Sequence, residues 1–307
     1  MLNTLTRHFL RFALRYLVKP LNGPPMPIVL QRFWLRFMAL IHLPARGISR
    51  QKIKMNGVNI QDINAAQAEH LIIYAHGGAF YLGDVATHVG LTSRLAKLCQ
   101  ARVWSVNYRL APEHVFPAAL EDILSAYRSA LQIVNADKIL LAGDSAGGGL
   151  TLSTACAIRD AGLPQPAGLI LISPWVDLTL TDMHSVADKI DPLVSWKFLR
   201  DGIRHYCGTQ NPGQPLISPL FSDLHNLPPV LLHCGSDEII RGDSERLNQR
   251  LQQAGTDVSF KLVKGMWHVF PIHAGSLREA DQAVSEMQAF ARHCWQTQEN
   301  QSGRKVS

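Results

Sequence analysis

The stretch Lys138 to Leu150, K-I-L-L-A-G-D-S-A-G-G-G-L, constrains this chain more than any other. Ile139-Leu140-Leu141-Ala142 has the length and apolar character of a buried strand, and an Ala/Leu/Thr-rich helical pattern begins just after Gly147. Only Gly143-Asp144-Ser145-Ala146-Gly147 lies between them to turn the chain from one to the other. So sharp a turn strains the residue at its apex and leaves no space for side chains beside it, which is the use of Gly143 and Gly147. The apex residue, Ser145, is presented next to the unpaired N–H groups and positive dipole end of the helix that follows, where an oxyanion would be stabilised. Ser145 is therefore the candidate nucleophile. The same pattern also occurs as a glycine-rich turn with an incidental serine, so its surroundings have to decide.

Those surroundings alternate. Strand patterns at Leu71–Ala75, Arg102–Asn107, Gly168–Ser173, Val230–Cys234 and Val258–Leu262 flank the serine strand, and helical patterns fall at Thr87–Gln100, Ala118–Val134 and Gly242–Ala254. The Asn56-Gly57 pair predicts a tight hairpin at a sheet edge. Short apolar strands alternating with helices predict an α/β fold with a mostly parallel sheet covered on both faces. At 307 residues and 47% hydrophobic content the chain is long enough for one large domain of this kind plus additional structure. Ligands in such folds bind at the carboxyl ends of the strands.

Three further features fall at that edge. Leu71–Ala75 runs straight into His76-Gly77-Gly78-Ala79-Phe80, whose glycines let backbone N–H groups approach a ligand closely. A serine hydroxyl needs a base, and the base needs an anion to orient it, in the chain order Ser, acid, His on this type of sheet. Asp237 lies nearest the end of its strand in H-C-G-S-D-E-I-I, with Glu238 and Asp243 as rivals. Of thirteen histidines, His268 in G-M-W-H-V-F falls directly after the last strand; His76, His88, His114 and His184 come too early, and His293 sits in a terminal helix. His273 is the near competitor, five residues on.

The net charge of +6 is concentrated at one end. No Asp or Glu precedes Asp62, whereas Arg7, Arg11, Arg15, Lys19, Arg32, Arg36, Arg46, Arg50, Lys52 and Lys54 do. No nucleic-acid-binding motif accompanies them, so a nucleic-acid partner is not expected. Residues 2–18 read as a basic amphipathic helix and Ile28–Leu43 as a second, each stopped by proline. Two readings fit them: a lid packed over the site, or a peripheral contact with anionic lipid. Arginines break up every apolar run before a secretory signal could form, and no run is long enough to span a bilayer. Five scattered cysteines with no C-x-x-C suggest neither a disulfide framework nor a zinc site, and fit reduced thiols in a cytoplasmic setting.

Together, H-G-G at His76–Gly78, Y-R-L-A-P-E-H-V-F-P-A-A-L-E-D at Tyr108–Asp122, G-D-S-A-G-G at Gly143–Gly148 and the segments around Asp237 and His268 resemble the bacterial hormone-sensitive-lipase family of carboxylesterases, within the α/β-hydrolase superfamily. The resemblance implies the α/β-hydrolase fold with a helical cap made from residues 1–48 and an insertion at about 180–227 in a domain of 49–307. It implies hydrolysis of short- to medium-chain esters without a cofactor or metal, with lactone, amide or thioester hydrolysis open to the same residues and a non-catalytic receptor as the contrasting reading. It implies Ser145 as nucleophile, His268 as base and then acid, Asp237 as orienting carboxylate, and an oxyanion hole from Gly78, Ala79 and Ala146 with Gly77 shaping the turn. The oligomeric state stays open, a homodimer included. Ala79 stands where H-G-G-G is commoner, so its methyl is expected to narrow the acyl site and disfavour bulky esters.

Overall fold

A computed structural model of the chain describes residues 2–65, 67–181 and 188–304. Eight strands form one sheet: β1 (Ser49–Met55), β2 (Val58–Asn64), β3 (Leu71–Ala75), β4 (Arg102–Asn107), β5 (Ile139–Asp144), β6 (Gly168–Ile172), β7 (Val230–Gly235) and β8 (Val258–Val263). Their spatial order is β1-β2-β4-β3-β5-β6-β7-β8. β1 pairs antiparallel with β2 through the Asn56-Gly57 turn, and β2 pairs antiparallel with β4; every other neighbour is parallel. The serine strand β5 lies centrally, between β3 and β6.

The central strands are buried on both faces, which explains their uninterrupted apolar runs. Side chains alternate between two cores: Ile73, Leu141 and Leu171 lie on one face, Ile72, Tyr74, Leu140 and Ile170 on the other. The first face is covered by α4 (Ala118–Ala130), α5 (Ala146–Asp160) and α7 (Arg241–Gln253), through residues such as Ile123, Leu150 and Leu247. The second is covered by α3 (Val89–Cys99) and α8 (Arg278–Arg304), through Leu91, Leu95 and Val284.

Three more helices sit outside this sandwich: α1 (Leu2–Ala13), prolonged by a π-helical turn at Leu14–Val18, α2 (Ile28–Ala39) and α6 (Trp196–Cys207). α1 buries Leu10, with Leu14 and Val18 of the π-turn, in the second core, while α6 buries Phe198, Leu199 and Tyr206 in the first. Of the insertion expected at about 180–227, residues 182–187 lie outside the described residues. His273 ends a short 3-10 turn, Phe270–His273, ahead of the terminal helix α8. All five cysteines are free thiols. No helix among the described residues is long and apolar enough to cross a membrane.

Candidate active site

Ser145 takes φ +52° and ψ −122° at the junction of β5 and α5, backbone geometry that an L residue keeps only when its neighbours impose it. They do so from both sides. Its N–H donates to the Ile172 carbonyl (2.9 Å), and its own carbonyl accepts from Gly149 N (3.0 Å) and Trp175 N (2.9 Å). A side chain at Gly143 would strike the Gly147 carbonyl and the Thr151 hydroxyl, and one at Gly147 would strike the Ala75 carbonyl. The turn is thus as close-packed as the spacing of its glycines suggests.

The Ser145 hydroxyl lies 2.8 Å from Nε2 of His268. The carboxylate on the far side of that ring belongs to Glu238, whose Oε2 is 3.1 Å from His268 Nδ1. Glu238 is fully buried. Its Oε1 accepts from the Ser173 hydroxyl (2.6 Å) and from Gly235 N. The Ser173 oxygen accepts in turn from Val269 N (3.0 Å), beside the histidine. Burial alone would lower the proton affinity of His268; the hydrogen bond and charge of Glu238, with the charges of Asp191 and Asp144, outweigh it and raise the imidazole pKa above 6.5.

The expectation that Asp237 orients the histidine is therefore corrected. Asp237 and Glu238 are consecutive in a tight turn after β7, and their side chains leave it in different directions. Asp237 reaches outward, where Oδ2 meets Arg11 Nη2 at 2.6 Å and Oδ1 accepts from the Ser236 hydroxyl at 2.7 Å. Glu238 turns inward beneath the end of β6. Nearness to the strand end favoured the wrong neighbour, because it carries no information about side-chain direction. The other rival, Asp243, accepts from the N–H groups of Val176 and Asp177, each at 2.9 Å, and so braces the loop after β6.

The glycine segment after β3 also divides its roles. Gly77 N–H donates to Asp144 Oδ1 (3.0 Å), so Gly77 is not free to bind an anion. The N–H groups of Gly78, Ala79 and Ala146 have no protein acceptor among the described residues, and they stand at the elbow and the turn facing it. Asp144 takes a further bond from the Tyr74 hydroxyl (2.7 Å) and lies 3.3 Å from His88 Nε2. Burial opposes ionisation of both partners, yet their mutual attraction prevails: the carboxyl is held below its ordinary value and His88 above its own. Tyr108 donates to the His76 carbonyl (2.7 Å), and Arg109 binds Asp122 (3.0 Å), so the Tyr108–Asp122 segment props the glycine turn from behind.

The Ala79 methyl does not narrow the acyl site, contrary to expectation. Ala79 is buried, and a side chain at Gly202 of α6 would stand 2.9 Å from its Cβ. The methyl therefore points at α6, which makes room for it with a glycine. The cavity beside Ser145 is lined instead by Gly77, Gly78, His268 and apolar residues, among them Leu10, Leu14 and Val18 from the first helical segment, Leu35 and Met38 from α2, and Phe198 from α6. His42 and His273, 3.0 Å apart, close one side. Burial above all lowers their pKa values to about 4 and about 3.

This geometry has relatives. A family model described as the α/β hydrolase fold matches residues 72–272. The chain belongs to that family. It is 41% identical over 243 residues to an esterase from Acinetobacter venetianus, covering 78% of this chain and 80% of that protein. It is 38% identical over 230 residues to an acetyl-hydrolase from Streptomyces hygroscopicus, covering 74% and 77%. The crystal structure of an esterase from the bacterial hormone-sensitive lipase family superposes with a TM-score of 0.90 at 32% identity, over 96% of this chain and all of that one. The resemblance to that family's α/β hydrolases is thereby established on structure as well as on motifs.

Proposed function

We propose that this carboxylic ester hydrolase works through a covalent acyl-Ser145 intermediate, with His268 moving the proton and Glu238 orienting His268. The observation that carries the reading is the hydrogen-bonded chain Ser145–His268–Glu238, at 2.8 and 3.1 Å, ending on a serine in strained elbow geometry. His268 Nε2 accepts the hydroxyl proton as Ser145 Oγ attacks the ester carbonyl. The carbonyl oxygen, now negative, is met by the N–H groups of Gly78, Ala79 and Ala146. The tetrahedral adduct collapses when His268 returns the proton to the leaving alcohol. Water, deprotonated by the same imidazole, then releases the acid and restores the serine. Glu238 stabilises the imidazolium formed in each half-reaction and fixes which nitrogen faces the serine.

A cavity walled by Leu10, Leu14, Val18 and Phe198 suits an apolar acyl chain of short to medium length; the acetyl-hydrolase name of one relative points to the short end. The helices α1, α2 and α6 act in this reading as a cap over the site. The test is labelling by a fluorophosphonate. Wild-type protein should be modified at Ser145 and lose turnover of p-nitrophenyl acetate and butyrate, and Ser145→Ala should be neither labelled nor active beyond a residue about four orders of magnitude lower. Near-normal hydrolysis by Ser145→Ala would refute the assignment.

A further inference from the structure

A third carboxylate stands behind the chain Ser145–His268–Glu238. Asp191 is fully buried, and its two oxygens accept from backbone N–H groups of two separate segments. Oδ1 takes Leu193 N (2.8 Å) and Val194 N (3.1 Å), which folds the loop after it and sets two residues of the cavity wall. Oδ2 takes the N–H of Ile239 (3.1 Å), the residue next to Glu238 in the turn after β7. Ile239 is also buried, so loss of this acceptor would leave its N–H without a partner and release the turn. Asparagine cannot fill the place. It has a single acceptor oxygen and would set its NH2 group against one of the backbone N–H groups.

The loop that carries Asp191 is gripped by the N-terminal segment. Arg15 donates to the carbonyls of Lys189 (2.5 Å) and Ile190 (3.3 Å), and Lys19 to those of Asp188 (2.5 Å) and of Asp191 itself (2.8 Å). Arg11 reaches the Ile190 carbonyl (3.2 Å) as well as Asp237 (2.6 Å), so the same segment holds both this loop and the turn after β7. Given the assignment of Ser145, His268 and Glu238 above, on which this rests, we propose that Asp191 is a positioning residue for the reaction. It fixes the turn from which Glu238 meets His268, and Arg15 and Lys19 hold it there. Its charge acts in the same direction. Burial lowers the proton affinity of His268, whereas Glu238 first, then Asp191 and Asp144, raise it. Burial in turn raises the pKa of the Asp191 carboxyl, opposed by His268 and by the three N–H groups.

Steady-state kinetics of the full chain on p-nitrophenyl butyrate, taken over a pH series, tests this. D191N should lower kcat about tenfold or more, because the Glu238 turn shifts under the histidine. Its acidic limb should also lie at lower pH than that of the wild type, since a negative charge near the imidazole is gone, with a smaller displacement than E238Q gives. A merely structural role would not move the limb. The proposal is overturned if D191N keeps kcat within about threefold of the wild type, or if kcat falls while the limb stays in place. Should D191N fail to fold, R15Q/K19Q decides: these side chains lie outside the core, and their loss should lower kcat about threefold by freeing the loop, whereas an unchanged kcat overturns the proposal. A wild type that does not hydrolyse the ester, or a Ser145→Ala variant that does, would instead sink the underlying assignment.

Discussion

The floor of the site and the helices above it are built by opposite rules. On the floor, Ser145, His268, Glu238, Ser173 and Asp144 are all buried, and each has a polar partner within hydrogen-bond reach. In the N-terminal helices, cations reach the surface of the main domain through carbonyls and through carboxylates that range from buried (Asp84) to half-exposed (Glu113), while aromatic rings face water. A buried, fully satisfied polar chain cannot shift one member without leaving another unpaired, at a cost of about 1–3 kcal/mol for each orphaned group. Exposed ion pairs can be exchanged for water at little cost. The difference teaches that the groups around Ser145 are held in one arrangement by buried polar contacts, whereas the N-terminal helices are held by the apolar residues Leu10, Leu14 and Val18 with ion pairs at their rim.

The sharpest way to break this comparison is to exchange the two adjacent carboxylates. Glu238→Gln should lower kcat about a thousandfold, because it removes the anion that stabilises imidazolium and sets the tautomer of His268; Asp237→Asn should stay within about threefold of wild type. Steady-state kinetics on a p-nitrophenyl ester measures both. Equal effects would show that the outward carboxylate also serves the floor.

The pH profile sharpens the same contrast. His268 must be neutral to accept the serine proton, and its pKa is raised, so kcat/KM should climb through an acidic limb lying above pH 6.5. Glu238→Gln removes the main cause of that rise and should move the limb to lower pH. Asp237→Asn should leave it in place.

The boundary between the two regions is probed by Gly202→Ala. Alanine is favoured over glycine inside a helix by up to about 1 kcal/mol, but here its methyl would meet the Ala79 Cβ at 2.9 Å and the Ala79 carbonyl at 3.0 Å. Overpacking of roughly 1–3 kcal/mol outweighs the propensity gain. Thermal unfolding should show a net loss of about 1 kcal/mol, and adding Ala79→Gly should recover most of it. The smallest effect belongs to the helix attachment: Arg11→Ala should cost about 0.5–1 kcal/mol, since both partners of its ion pair with Asp237 are about a quarter exposed. Denaturant unfolding would report it, with kcat on a small ester unchanged.

Much of this was legible in the residues. The apolar runs of β3, β5, β6 and β7 mark strands because they are buried on both faces, and no solvent face interrupts them. Gly143 and Gly147 mark the elbow because only absent side chains fit there. His268 follows from its place after β8. Less was legible where the outcome depends on direction. Ala79 looks like an obstruction to substrate until the position of Gly202, over a hundred residues later, shows where its methyl goes. The basic side of the first helix suits anionic lipid until Asp237 and the carbonyls of 188–191 are seen to take Arg11, Arg15 and Lys19.

By itself, then, the sequence determined the order of strands and helices, the turn that strains Ser145, and the histidine that meets its hydroxyl, because periodicity, glycine spacing and chain order are local properties. Only the tertiary structure decided between Asp237 and Glu238, and which side of the first helix faces water. Those outcomes depend on where a side chain points once distant segments have packed around it, and neighbouring residues in a chain carry no record of that.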